Sequence, residues 1–222
     1  MSSVRALPLL AVFALAACGG GGNNAATTAA TAVATAAGAC RPASPPAAKD
    51  RPEPKPTQPL DRAKIYDVTL QTTCGSFTIR LAVKTSPRTT ASFASLVHKK
   101  YFDGTVFHRI VPGFVIQGGD PTGTGTGGPG YSTVDKPPPA TRYTHGLVAM
   151  AKTGAEPRGT SGSQFFVVTV ADAQLPPDYA LLGHVVSGLK VVLRIGKLGN
   201  AAQMPTQTVE IERTPVRISK QP

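Results

Sequence analysis

The feature that most constrains this fold is a series of short apolar runs, separated by glycine- and proline-containing turns, that begins near Asp61. Residues 77–83 alternate between apolar side chains and smaller or polar ones. This period of two is typical of a half-buried β-strand. Residues 65–71 form a second such run, and the turn at residues 73–76 pairs the two as a hairpin.

Further short runs and two helices complete the pattern. One helix is predicted to begin with Ser86 as its N-cap and Pro87 at its first position, and a second covers residues 189–195. Many short strands with two helices indicate a mainly β fold, in the form of a closed antiparallel barrel. The other predicted strands are residues 105–110, 114–117, 147–151, 164–169 and 181–186, with 209–212 and 216–219 closing the fold.

The first 18 residues have the pattern of an export signal. Arg5 precedes an apolar stretch over residues 6–17, which is shorter than the roughly 20 residues of a membrane-spanning helix. The ending Leu15-Ala16-Ala17-Cys18 resembles the bacterial lipoprotein cleavage box, in which the cysteine is lipidated. We therefore expect a protein outside the cytoplasm and anchored to the cell membrane through Cys18. An ordinary signal peptide, with a secreted or periplasmic product, is the alternative.

Residues 19–60 are predicted to form a disordered linker between this signal and a folded domain at residues 61–222. The first half of the linker is almost wholly Gly, Ala, Thr and Asn, and the second half is rich in proline. Neither half has enough apolar surface to offset the entropy lost on ordering. Cys40 and Cys74 could form a disulfide outside the cytoplasm, but the sequence does not say how far apart they lie.

Composition and spacing argue against several functions. The formal net charge is +11, but the basic residues are dispersed, with no run longer than Lys99–Lys100, so we expect a solvated surface and no nucleic acid partner. The four histidines lack metal-ligand spacing, and we expect neither a metal nor a cofactor. The glycines at residues 123–128 are not followed by the Gly-Lys-Ser/Thr of a phosphate loop. A hydrolase would need a nucleophile elbow, and no such motif is recognisable.

Two motifs carry the functional information. Residues 107–121 read Phe-His-Arg-Ile-Val-Pro-Gly-Phe-Val-Ile-Gln-Gly-Gly-Asp-Pro, and residues 161–166 read Ser-Gly-Ser-Gln-Phe-Phe. Their order and spacing closely resemble the cyclophilin signature, and the likeness extends over residues 65–219. The resemblance implies an eight-stranded closed antiparallel barrel capped by two helices, and peptidyl-prolyl cis-trans isomerase activity.

Isomerisation of an X–Pro bond needs neither a nucleophile nor a metal, because no bond is made or broken. Rotation about the amide faces a barrier of about 18–20 kcal/mol that originates in resonance. A fixed cation with N–H donors can stabilise the twisted amide, whose nitrogen regains a lone pair. Arg109 matches the family's catalytic arginine, and its guanidinium is suited to this role. Gln117 and Phe114 match the residues that position the arginine and line its pocket.

The resemblance also implies a substrate-binding set and a class of partner. We expect proline-containing polypeptides as substrates, with a role in folding exported proteins, and a monomeric enzyme. The alternative is a non-catalytic proline-peptide-binding or chaperone module of the cell envelope. The substrate-binding residues are expected to be Val115, Ala151, Gln164, Phe166, Leu175, Tyr179, which stands where many family members have histidine, and His108, which also fits a barrel position.

Overall fold

The computed structural model describes residues 39–44 and 46–221. The predicted signal peptide, the lipidation of Cys18 and the first part of the linker lie outside the described residues. Within the described part of the chain, neither helix has the length and apolar character needed to cross a bilayer.

Twelve strands and two helices make up the described domain. The helices are α1 (Pro87–His98) and α2 (Leu189–Gly196). The strands are β1 (Lys64–Thr72), β2 (Gly75–Leu81), β3 (Thr105–Val106), β4 (Arg109–Val111), β5 (Val115–Gly118), β6 (Thr133–Val134), β7 (Leu147–Met150), β8 (Thr160–Ser161), β9 (Phe165–Val168), β10 (Leu181–Ser187), β11 (Glu210–Arg213) and β12 (Val216–Lys220).

The β1–β2 hairpin confirms the strand pair predicted from the alternating pattern, with β2 ending at Leu81 instead of residue 83. The two strands pair in register from Asp67 opposite Arg80 to Thr72 opposite Gly75. Gly75 has a φ of 110°, which side-chain-bearing residues rarely adopt. The hydroxyl of Thr72 donates to the Gly75 carbonyl at 2.6 Å and secures the turn.

Both helices lie where the sequence placed them, and α1 begins at Pro87 with Ser86 in the predicted N-cap position. Ser86 occupies the N-cap position without making a side-chain cap bond. The backbone N–H of Thr89 instead donates to the Asp135 carboxylate, Oδ2, at 2.6 Å. A carboxylate at a helix N-terminus also interacts favourably with the helix dipole, so a residue distant in sequence supplies the side-chain acceptor that Ser86 does not supply.

The predicted closed eight-stranded barrel is wrong in strand number and in closure. The structure has an open, strongly curled antiparallel sheet whose edges are β3 and β4. Only Phe107 and His108 connect these two strands, without a turn. Antiparallel pairing would need a chain reversal there and parallel pairing a long crossover; hence β3 and β4 cannot pair. The order in the sheet is β3-β11-β1-β2-β10-β7-β9-β5-β4, with β12 also on β1 and a separate β6-β8 pair.

The described part of the linker is ordered against the domain, which corrects the prediction of a disordered spacer over residues 39–60. Three hydrogen bonds illustrate the contact: Arg41 N to Thr73 O at 2.8 Å, Glu53 N to Pro129 O at 2.9 Å, and Arg51 Nη1 to Asp103 O at 2.9 Å. The composition argument considered only what the segment can bury by itself. Its backbone groups find partners on the domain, and proline, with φ already fixed, loses less entropy on ordering.

A disulfide joins Cys40 to Cys74, 34 positions later. Cys74 is buried in the β1–β2 turn, and Cys40 packs against the main core. The pairing that the sequence left open is therefore present, and it attaches the beginning of the described segment covalently to the domain.

Candidate active site

Three neighbouring strands place the predicted functional residues in one row. Arg109 of β4 lies opposite Gln117 of β5, and Gln117 lies opposite Phe166 of β9. The row continues to Ala149 of β7. Residues directly opposite each other in antiparallel strands project from the same face, so the guanidinium, the amide and the ring stand side by side. Ile116, next to Gln117 in sequence, points to the other face and into the main core.

A chain of side-chain hydrogen bonds runs along this row. Arg109 Nη1 donates to Gln117 Oε1 at 3.1 Å, and Gln117 Nε2 donates to Gln164 Oε1 at 3.0 Å. Gln164 Nε2 in turn donates to the carbonyls of Gly125 at 2.9 Å and Gly127 at 3.0 Å. The polar residues predicted from the two motifs are therefore linked to one another and anchored to the glycine-rich loop.

The positive charge of Arg109 is not neutralised by a carboxylate within the described residues, where the ion pairs involve other groups. Its second acceptor is the neutral amide of Gln203, which accepts from Nε at 2.7 Å. The side chain is partly exposed. A cation held by two neutral amides keeps its full charge available to a bound molecule.

An apolar cluster separate from the main core lies beside Arg109 on the same face of the sheet. It is built around the buried side chains of Phe166 and Val115. Six residues predicted to line the substrate site meet in this cluster: Phe114, Val115, Ala151, Phe166, Leu175 and Tyr179.

The glycine-rich loop after β5 is organised by Asp120, whose side chain is buried. Its carboxylate accepts hydrogen bonds from the Thr122 hydroxyl at 2.8 Å, from the backbone N–H groups of Thr122 at 2.7 Å and Gly127 at 3.2 Å, and from the Gly125 N–H. Burial raises the pKa of Asp120, but these hydrogen bonds outweigh it, so the pKa lies below its usual value. A side chain at Gly127 would collide with this carboxylate. The backbone N–H groups of this loop therefore bind the carboxylate of Asp120.

A polar cavity of about 690 Å³ adjoins the row on the side of Gln117 and Gln164. Lys152 borders it, and so does Asp50 of the ordered linker. An extended chain that leaves the apolar cluster past Gln117 would enter this cavity, which offers polar and charged partners.

Comparison with known proteins identifies this arrangement. A family model described as cyclophilin type peptidyl-prolyl cis-trans isomerase/CLD matches residues 67–216, more than half of the chain. The chain belongs to the cyclophilin family. The matched region begins after the signal-like segment and the linker, so it does not bear on either of them.

Two relatives and two solved structures show how close the likeness is. Peptidyl-prolyl cis-trans isomerase-like 1 of Neurospora crassa is 39% identical over 158 residues, which cover 69% of this chain and 91% of the relative. The Bos taurus protein of the same name is 38% identical over 158 residues, which cover 69% of this chain and 93% of the relative. A cyclophilin-type isomerase of Cryptosporidium parvum aligns with a TM-score of 0.63 at 30% identity, covering 71% of this chain and 99% of its own. Its structure in the presence of the dipeptide Ala-Pro aligns with a TM-score of 0.61 at 29% identity, covering 70% of this chain and 99% of its own.

One supporting residue of this cyclophilin was not found by sequence reasoning. The Tyr143 hydroxyl donates to the Tyr179 carbonyl at 2.7 Å and accepts from the Tyr179 N–H at 2.9 Å. The two rings also meet edge to face at 5.8 Å. Burial raises the pKa of Tyr143 to about 12, so its hydroxyl stays neutral. Tyr143 lies outside both motifs, and only the fold shows that it holds the backbone of a predicted substrate-binding residue.

His108 of the cyclophilin motif is buried beside Gly125 and lies outside the apolar cluster. Neither ring nitrogen has a hydrogen-bond partner among the described residues. Burial disfavours the charged imidazolium and lowers the pKa of His108. The structure therefore places this residue beneath the loop, in the barrel position that the sequence allowed. Gln164 belongs to the hydrogen-bonded row, and the other predicted binding residues line the cluster.

The buried His108 predicts a specific dependence of stability on pH. Its pKa is lower in the folded state than the value of about 6.5 expected in the unfolded chain, so the unfolded state binds more protons below that pH. The free energy of unfolding is therefore highest with respect to this group above about pH 6.5. It decreases as the pH falls below that value, by at most about 1.4 kcal/mol per pH unit. Urea denaturation should show that the free energy of unfolding declines less between pH 7.5 and pH 5 for His108→Leu than for the wild type. Equal declines for the two proteins would contradict the assignment.

Proposed function

We propose that this cyclophilin catalyses cis–trans rotation about X–Pro bonds, with the proline ring in the apolar cluster and the Arg109 guanidinium beside it. The observation that carries the proposal is the position of an unneutralised, doubly hydrogen-bonded arginine next to that cluster, separated from Phe166 by the single strand β5. The family assignment supports the same chemistry, as does the related Cryptosporidium parvum structure in the presence of Ala-Pro.

Arg109 would act on the twisted amide and not on the planar one. In the planar amide the nitrogen lone pair is delocalised into the carbonyl, which gives the rotation its barrier of about 18–20 kcal/mol. In the twisted state the prolyl nitrogen becomes pyramidal and accepts a hydrogen bond. A guanidinium N–H directed at this atom therefore stabilises the transition state selectively. Since arginine stays protonated at any ordinary pH, this contribution needs no proton transfer.

The hydrogen bond from Arg109 cannot account for the whole rate enhancement. A charge-assisted hydrogen bond contributes about 1.5–3 kcal/mol, and each factor of ten in rate requires about 1.4 kcal/mol. The rest must come from holding the substrate in a partly rotated pose. Phe166 and Leu175 would confine the ring, while Gln117 and the hydroxyl of Tyr179 would bind the flanking backbone. The polar cavity beyond Gln164 would receive the residues preceding the proline.

Exchange spectroscopy on an Ala-Pro peptide tests the proposal directly. Uncatalysed exchange takes tens to hundreds of seconds, and we expect a catalytic amount of the protein to bring it into the range that magnetisation exchange detects. The alternative function, a proline-peptide-binding module, predicts binding without acceleration. A protein that binds the peptide but leaves the exchange rate equal to that with an inert protein such as albumin would refute the catalytic proposal.

For the location, we propose an exported protein anchored to the cell membrane through a lipid on Cys18, where it would assist the folding of exported, proline-containing chains. The Leu-Ala-Ala-Cys ending of the apolar N-terminal segment supports the anchor. The Cys40–Cys74 disulfide supports an oxidising compartment, because such bonds are rare in the cytoplasm. Cys40, which is bonded to Cys74 of the domain, lies only 22 positions after Cys18, so the domain would stay close to the membrane surface.

Replacing the lipidated cysteine tests the anchor separately from the enzyme. Cys18→Ser should move the expressed protein from the membrane fraction to the soluble fraction while leaving isomerase activity unchanged, since Cys18 precedes the catalytic domain. Two or more acyl chains would hold the wild type firmly, at about 0.8 kcal/mol per buried CH₂ group. A Cys18→Ser protein that still sediments with membranes would rule out lipidation at this residue.

A further inference from the structure

The loop between α2 and β11 supplies a contact to Arg109 that no motif indicates. Gln203 Oε1 accepts from Arg109 Nε at 2.7 Å, although the two residues are 94 positions apart. This bond is shorter than the 3.1 Å bond from Arg109 Nη1 to Gln117. Gln203 lies outside residues 107–121 and 161–166, which contain the recognisable functional residues.

The loop is built so that Gln203 stays in register with the active-site strand. The Gln203 carbonyl accepts from the Ile110 N–H at 3.0 Å, one residue after Arg109, and its own N–H donates to the Asn200 carbonyl at 2.9 Å. Asn200 Oδ1 in turn accepts from the Met204 N–H at 3.0 Å. On the other side of the turn, Gly199 lies so close to the Ile110 carbonyl that a side chain there would collide with it. Backbone contacts with Ile110 therefore hold the loop against β4.

The conformation of Gln203 itself is unusual. Its φ is 63°, in the left-handed region that favours glycine, and its side chain is exposed. Burial of apolar surface therefore does not account for a glutamine at this position. The hydrogen bond to Arg109 does account for it, because glycine would fit the backbone better but would offer no side-chain acceptor. Backbone outliers of this kind are concentrated at functional sites.

Two acceptors on different nitrogens are enough to fix the plane of a guanidinium. Gln117 holds Nη1 and Gln203 holds Nε, so rotation about the bond from Cδ to Nε is restrained from both sides. The remaining N–H groups, including both on Nη2, then point in defined directions. Both acceptors are neutral amides, so the orientation is secured without neutralising the charge.

We propose that Gln203 is a positioning residue of the active site, which orients the Arg109 guanidinium towards the prolyl nitrogen from the edge opposite Gln117. The inference rests on the proposed function and extends it to a residue outside the motifs. Gln203 acts through Arg109 and needs no contact with the substrate. Its loss should therefore lower kcat and leave KM almost unchanged, since the binding cluster is untouched.

The test compares Gln203→Ala with Met204→Ala, which removes the neighbouring exposed side chain of the same turn. For Gln203→Ala we expect kcat on the Ala-Pro peptide to fall about tenfold with KM within about twofold of the wild type. Met204→Ala should retain both values. Because the Ile110 contact is made by the backbone, the thermal midpoint of Gln203→Ala should stay close to that of the wild type.

A spectroscopic readout separates orientation from general damage. In the wild type the Arg109 Nε–H proton should give a distinct, slowly exchanging amide-region signal, which Gln203→Ala should broaden or shift and Met204→Ala should preserve. If the wild type is active and Gln203→Ala matches its kcat, or if the Nε–H signal is the same in both, the positioning role is wrong while the proposed function stands. If the wild type itself does not accelerate exchange, the proposed function fails and the positioning role fails with it.

Discussion

Arg109→Ala is expected to lower kcat/KM for the Ala-Pro peptide by about 100-fold, because one preorganised charged donor at a transition state contributes about 10²–10³ in rate. The fold should survive, since the side chain is partly exposed and β4 lies at the edge of the sheet. Peptide binding, measured by line broadening, should weaken much less than kcat falls. Arg109→Lys keeps the charge but not the planar fork of donors, and we expect it to recover only part of the loss.

The matched control for Arg109→Ala is Arg80→Ala. Arg80 lies on β2, is exposed, and forms its ion pair with Asp67 at 2.9 Å. Surface ion pairs of this kind contribute at most about 1 kcal/mol to stability, and Arg80 is not part of the hydrogen-bonded row. Its replacement should leave activity within about twofold of the wild type. If the two variants lose activity equally, or neither does, the proposed mechanism would have to be abandoned.

Removing the disulfide should have the largest effect on stability. The Cys40–Cys74 bond closes a loop of 34 positions, for which the chain-entropy model gives a stabilisation of about 3–4 kcal/mol. That value is an upper limit, because the ordered linker can detach from the folded domain once the bond is gone. For the double variant Cys40→Ser/Cys74→Ser we expect a thermal midpoint lower by on the order of 10 °C.

A reducing agent provides the complementary experiment. Dithiothreitol should lower the midpoint of the wild type towards that of the double variant and should not change the double variant itself. Isomerase activity at 25 °C should persist in both, because neither cysteine belongs to the hydrogen-bonded row or to the apolar cluster. A wild-type protein whose midpoint is insensitive to reductant would show that the bond contributes little.

Sequence and structure agree at some residues of the fold and differ at others. The alternation over residues 77–83 predicted a strand, and the structure has one at Gly75–Leu81. Ser86 is the N-cap that the sequence predicted, but the side-chain acceptor at this helix start is Asp135, which only packing could reveal. The linker was predicted to be disordered from its composition, yet contacts with the domain and a disulfide order the part described. The Asp135 contact and the ordering of the linker both arise between residues that are distant in sequence.

In the active site, too, local sequence predicts some residues and distant contacts determine others. Residues 107–121 and 161–166 contain Arg109, Gln117, Gln164 and Phe166, and the structure brings these four together in one row. Gln203 and Tyr143 support that row from outside the motifs. Nothing in their local sequence indicates this role, because a glutamine in a turn and a tyrosine in a loop are common everywhere.

The sequence by itself determined the family, the mainly β character and the chemical groups available, because alternation, turn residues and motifs are local properties of the chain. Tertiary structure alone decided that the sheet stays open between β3 and β4, that the proline-rich segment lies on the domain, and that Arg109 is held by amides on two sides. Those features depend on which distant groups meet. Their geometry follows from the packing of the whole domain, which no local pattern encodes.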